Sequence, residues 1–171
     1  MMMFAIGAGC IVVSFTLEGM RRASILRKRR LVLLDIVRAC HWMLGEVSGR
    51  QTSMMEIIRY QQQSDSLLVP FFRALKANMG QEDKPLPEIW KDTVVQTGEF
   101  SCLDAEDVSW VMRIGEAFQG MNAEMVERDL NFTVSGLQAR YEQALEREGK
   151  FVKIYRVAGV TCGLLAILLL S

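Results

Sequence analysis

Two runs without a charged side chain, residues 1–17 (MMMFAIGAGCIVVSFTL) and 157–170 (VAGVTCGLLAILLL), bracket a middle in which apolar residues return every three or four positions. At about 1.5 Å per residue the first run makes about 25 Å of helix, slightly under the ~30 Å hydrocarbon core of a bilayer, and polar flanks make up the difference. A secretory signal would carry positive charge before its apolar stretch and a small-residue cleavage site after it. Here the charges follow the run, with Glu18 at its boundary. Residues 1–20 are therefore predicted to be a membrane anchor. The second run covers only about 21 Å. Extended back through 151–155, with Lys153 and Arg156 reaching toward headgroups, it predicts a transmembrane segment over 153–171. Gly159 and Gly163 form a small-xxx-small pair on which another membrane helix can dock, residues 3–17 with Gly7 and Gly9 being one candidate.

The middle, 31–152, shows almost no strand alternation. LVLLDIVRACHWMLGEV places Leu31, Leu34, Val37/Arg38, Cys40/His41, Leu44 and Val47 at helical steps, so a helix from 31 to Gly49 is expected, either separate from the first run or continuous with it. Ser53 and Glu56 have capping-box spacing ahead of Met54, Ile57 and Ile58. A third helix starts after Asp65 or Ser66, with Pro70 in its first turn, Phe71, Phe72 and Leu75 facing inward and Gly80 at its end. A fourth begins near Pro87 and buries Ile89, Trp90, Val94 and Val95. A fifth follows a Ser101/Asp104 cap and lines up Leu103, Val108, Val111, Met112, Ile114 and Phe118 before Gly120. No proline interrupts 123–170, so one helix of about 70 Å is predicted there. Its apolar stripe would be Met125, Leu130, Val134, Leu137, Tyr141 and Leu145, with Glu127, Arg128, Arg140, Glu142, Glu146 and Arg147 facing water. The class is all-α.

Charge fixes an orientation. The densest basic cluster, Arg21, Arg22, Arg27, Lys28, Arg29 and Arg30 in the juxtamembrane segment 21–30, directly follows the first run, and Arg147, Lys150, Lys153 and Arg156 precede the second. Positive flanks stay on the cytoplasmic side, so both ends should lie across the membrane from a cytoplasmic middle, with Tyr155 as an interfacial aromatic. Arg21, Arg22, Arg27, Lys28, Arg29, Arg30, Lys153, Tyr155 and Arg156 form the predicted membrane-interface set. A basic run can also bind nucleic-acid phosphate, but 20 basic residues balance 20 acidic ones and the cluster abuts an apolar run, so anionic lipid is the better partner.

Catalytic constellations are missing from the pattern. A single histidine, His41, builds neither a histidine-based triad nor a multi-histidine metal site within one chain. There is no GxxxxGK[ST] phosphate loop and no strand-linked GxGxxG. The cysteines, Cys10, Cys40, Cys102 and Cys162, lack CxxC spacing, and ordinary packing accounts for the eleven methionines. Asp104, Glu106 and Asp107, with Glu116 beyond them, would serve acid–base chemistry only in a cleft that shifts their pKa values, whereas a helix N-terminus favours acidic groups through its dipole alone. No cofactor, metal or catalytic residue is expected.

The basic stretch 21–30, EIIRY (56–60), EIW (88–90), LDAEDVSWVMRIGEAF (103–118) and KIYRVAGVTCGLLAILLL (153–170), in this order, resemble the stage III sporulation protein AB family of endospore-forming bacteria over essentially the full chain. The chain departs from that family's usual pattern at Phe118-Gln119-Gly120 and Asn122 and in QQQSDS. The resemblance implies a bundle like the cytoplasmic domain of the type II secretion platform protein F, with six helices in two antiparallel three-helix halves. It also implies a non-enzymatic platform in the mother cell–forespore channel, in the mother cell membrane. There it would engage a secretion-type ATPase and other membrane subunits, and homo-oligomers are compatible with it. A platform of a type II secretion or pilus machine, and a membrane-bound enzyme using Asp104, Glu106 and Asp107, are the alternatives.

Overall fold

Nothing in residues 2–50 stops a helix, and α1 runs unbroken over Met2–Arg50. The structure, a computed structural model, describes the backbone of residues 2–50, 52–80, 84–120 and 122–170 and the side chains of residues 21–49, 52–80, 84–120, 122–151 and 154. After α1 come α2 (Met54–Gln61), α3 (Val69–Met79), α4 (Leu86–Gln96), a 3₁₀ turn (Gly98–Cys102), α5 (Ala105–Ala117) and α6 (Ala123–Leu170). There is no strand among the described residues, as the all-α reading requires.

The short helices begin where side chains take up free amides. The Ser53 hydroxyl accepts the Glu56 amide at the start of α2, and Pro70 and Pro87 occupy first turns, where a missing N–H costs little. Asp35 of α1 sets the turn before α3, accepting the Ser66 hydroxyl at 3.1 Å and the Leu67 amide at 2.8 Å. At α5 the cap is Asp104 with Asp107 rather than a Ser101/Asp104 pair. Each carboxylate accepts the other residue's amide, and Ser101 belongs to the 3₁₀ turn.

The principal contacts run from α1 to α6, then α5, α4, α3 and α2, with a narrow contact back to α1. The expected two three-helix halves do not organise them, because α1 and α6 alone are long enough to run side by side and they share the largest surface. Arg30 pairs with Glu148, and from that contact the buried residues run forward along α1, Val32 to Val47, and backward along α6, Ala144 to Val126, so α1 and α6 are antiparallel. The start of α1 and the end of α6 therefore leave the bundle at one end. Among the described residues no helix is long and apolar enough to cross a membrane. The predicted spans, 1–20 and most of 153–171, lie outside the described side chains.

An aromatic knot fills the core between α3, α4 and the 3₁₀ turn. Phe71 meets Phe72, Trp90 and Phe100 edge-on, with centroids about 5 Å apart. The Trp90 indole N–H donates to the Val111 carbonyl at 2.9 Å, so the ring buries without an orphan donor. Ile57, Ile58, Phe71, Phe72, Leu75, Ile89, Trp90 and Val94 are buried as the spacing predicted, but Val95 is 72% exposed. On α1 the buried face is Val32, Leu33, Ile36, Val37, Ala39, Cys40, Met43 and Val47, rotated from the Leu31–Leu34–Leu44 line because α6, the 3₁₀ turn and α2 all pack on that helix. On α6, Met125 and Leu145 face water while Val126, Leu130, Val134, Leu137, Arg140 and Ala144 face inward.

Two close approaches require glycine. A Cβ on Gly115 would stand 2.6 Å from the Trp90 ring, and one on Gly136 would overlap Trp110. Gly45 has open space around it. Gly115→Ala should destabilise the protein by about 1–3 kcal/mol through overpacking. Gly45→Ala should instead stabilise α1 by about 1 kcal/mol. Denaturant unfolding of the full-length protein measures both signs.

Candidate functional site

The capping box that starts α5 points its carboxylates at both long helices. Asp107, with no exposed surface, accepts the Arg29 Nε at 2.6 Å and Nη2 at 3.0 Å from α1, and the Arg140 Nε at 2.7 Å from α6. The Asp104 amide donates to the same carboxylate at 3.2 Å. Asp104 in turn takes Nη2 of both arginines, at 2.8 Å from Arg29 and 2.6 Å from Arg140, and Glu106 takes Arg140 Nη1 at 2.6 Å. Both guanidinium side chains are only 7% exposed. Three helices thus share one charged cluster.

Burial alone would push the Asp107 carboxyl up, but hydrogen bonds from Arg29, Arg140 and the Asp104 amide outweigh it and hold the carboxyl below the usual carboxylate range. The Asp107 hydrogen bond raises Arg29 against the cost of its burial. Arg140 is raised too, burial being outweighed by its bond to Asp107 and by the surrounding acidic charge. Asp107 therefore stays ionised, its oxygens occupied and enclosed. Such a group neither takes up a proton near neutral pH nor reaches a substrate, and its chemistry is to hold helices in register. Among the described residues no group of His, Cys, Asp or Glu is placed to hold a metal ion. Burial pushes the Cys40 thiol up to about 12 and raises Cys102 as well, which leaves both as poor nucleophiles.

The predicted interface set divides. Arg21, Arg22, Arg27 and Lys28 are exposed. Arg30 is half-buried and pairs with Glu148. Arg29 is corrected: it is 6% exposed, turned into the Asp107 cluster, and unavailable to headgroups. Arg140, expected on the wet face of α6, is likewise buried. Lys153, Tyr155, Arg156, Gly159 and Gly163 lie outside the described side chains. The cluster had a signal in the sequence. Arg29 continues the 32/33–36–40–43–47 face of α1 and Arg140 continues the 130–134–137 face of α6, so each is a charge at a core position and calls for a buried counter-charge.

The chain is an all-α bundle with two long antiparallel helices, pinned near their shared exit by a buried ion-pair cluster. Residues 5–171 match the family described as stage III sporulation protein AB, and the chain belongs to that family, which gives it a role in sporulation. No match was found among curated proteins or solved structures.

Replacing Asp107 with Asn leaves two buried cations under-compensated and should cost about 3–5 kcal/mol at neutral pH. Because the folded-state pKa of Asp107 lies below the unfolded value of about 3.9, its stabilisation is complete above that value and lost as pH falls through the lower one. Denaturant midpoints of wild type and Asp107→Asn should accordingly differ most near neutral pH and converge as pH falls below the ordinary carboxylate range.

Proposed function

We propose that this protein is a non-enzymatic membrane platform of the mother cell–forespore channel. In this reading both ends cross the mother cell membrane, the bundle sits in the cytoplasm, and a secretion-type ATPase and other membrane subunits dock on it. The observation that carries the proposal is the overhang of the two long helices. At about 1.5 Å per residue α1 and α6 are each over 70 Å long, whereas α5 is about 20 Å, so both project far beyond the bundle and from the same end. The projecting parts hold the uncharged runs 1–17 and 157–170, and arginines and lysines gather where they emerge. One set of positive flanks at one exit fits a single membrane face. Family membership supports the sporulation setting.

Reporter fusions test the topology. A fusion between α3 and α4 should report the cytoplasm and fusions at either terminus the opposite side; alkaline phosphatase activity from the middle fusion overturns the arrangement. Partner engagement is tested separately. The detergent-solubilised full-length protein should capture a secretion-type ATPase from the same cells, and no capture with both proteins folded counts against the platform.

A further inference from the structure

Where α1 and α6 leave the bundle they part to form a cleft of about 490 Å³, within the size range of small-molecule sites. Ala23, Leu26, Arg27 and Arg30 line it from α1, on one helical face, and Glu148 and Phe151 line it from α6. The cleft is amphipathic: Leu26, Ala23 and Phe151 supply apolar wall and the two arginines supply charge. Glu148 is held by Arg30. Arg27 is exposed and makes no ion pair with a described residue, so the cleft presents one uncompensated cation. Three residues beyond Phe151 on α6, Ile154 is 63% exposed.

We propose that this cleft holds one anionic phospholipid, its phosphate on Arg27 and its glycerol and first methylenes against Leu26 and Phe151. The inference rests on the membrane reading given above and deepens it, replacing a diffuse attraction of basic residues for the bilayer with a discrete site. A free phosphate would need the cation but not the apolar wall. A lipid uses both.

The test is lipid retention by the purified full-length protein in detergent, read by native mass spectrometry with phosphatidylglycerol and phosphatidylcholine as probes. Wild type should retain phosphatidylglycerol in preference to phosphatidylcholine. Arg27→Gln should lower that retention about tenfold, the scale of one charge-assisted hydrogen bond. Arg73→Gln, which removes the same charge from an exposed residue of α3 outside both the cleft and the membrane-interface set, should leave it nearly unchanged. Inorganic phosphate should not displace the lipid. Equal losses in the two variants, equal retention of the two lipids, or displacement by phosphate each overturn the proposal. Membrane fractionation of the same cells keeps the two readings apart: a membrane-integrated protein without lipid preference overturns the site alone, whereas a protein absent from the membrane fraction overturns the platform and the site with it.

Discussion

Asp107 is a full negative charge placed where no water reaches it, and the geometry of three helices follows from meeting that demand. A buried carboxylate needs opposite charge and hydrogen bonds on nearly every lone pair. Arg29 of α1, Arg140 of α6 and the Asp104 amide supply them, and each comes from a different place in the chain. Against a well-packed apolar replacement such a cluster adds little net stability, but it is unforgiving of position. Sliding α6 along α1 by one turn, about 5.4 Å, would strand Asp107 with half its partners. Apolar faces alone tolerate such slippage far better. Register between the two long helices is what the charge secures.

The aromatic knot does complementary work on the other side of α5. Trp90 reaches from α4 to the Val111 carbonyl and lies on the bare backbone at Gly115, while Trp110, on the same helix as Gly115, lies over Gly136 of α6. The thirteen-residue α5 is thereby gripped by one indole from α4 and grips α6 with its own. Its N-terminal carboxylates then face α1 and α6 at a fixed distance. The short helix is the keystone that fixes the spacing of the long ones.

Helix existence was legible because its signals are local. Ser53 ahead of Glu56, the prolines at 70 and 87, and the proline-free run from 123 act within a few residues of themselves. Which face turns inward was less legible, since burial depends on what packs against a helix and from how many sides. α1 has neighbours at α6, at the 3₁₀ turn and at α2, so its buried arc is broader than a single stripe and includes Val32, Leu33 and Ala39. Arg29 and Arg140 read as solvent-facing because a charged side chain usually is. Their true place depends on Asp107, which is 78 residues from the first and 33 from the second. Only their fit to the core periodicity of each helix points inward.

The unbroken α6 has a mechanical consequence. A helix without proline or an inserted turn behaves as a stiff rod, and the cluster grips this one at Arg140, about 45 Å along the axis from Leu170. A tilt of about 5° at that fulcrum swings the far tip by about 4 Å. Small rotations imposed on the bundle are thus carried outward as lateral displacement rather than absorbed, and the paired α1 must lean in step because both rods share the same pivot.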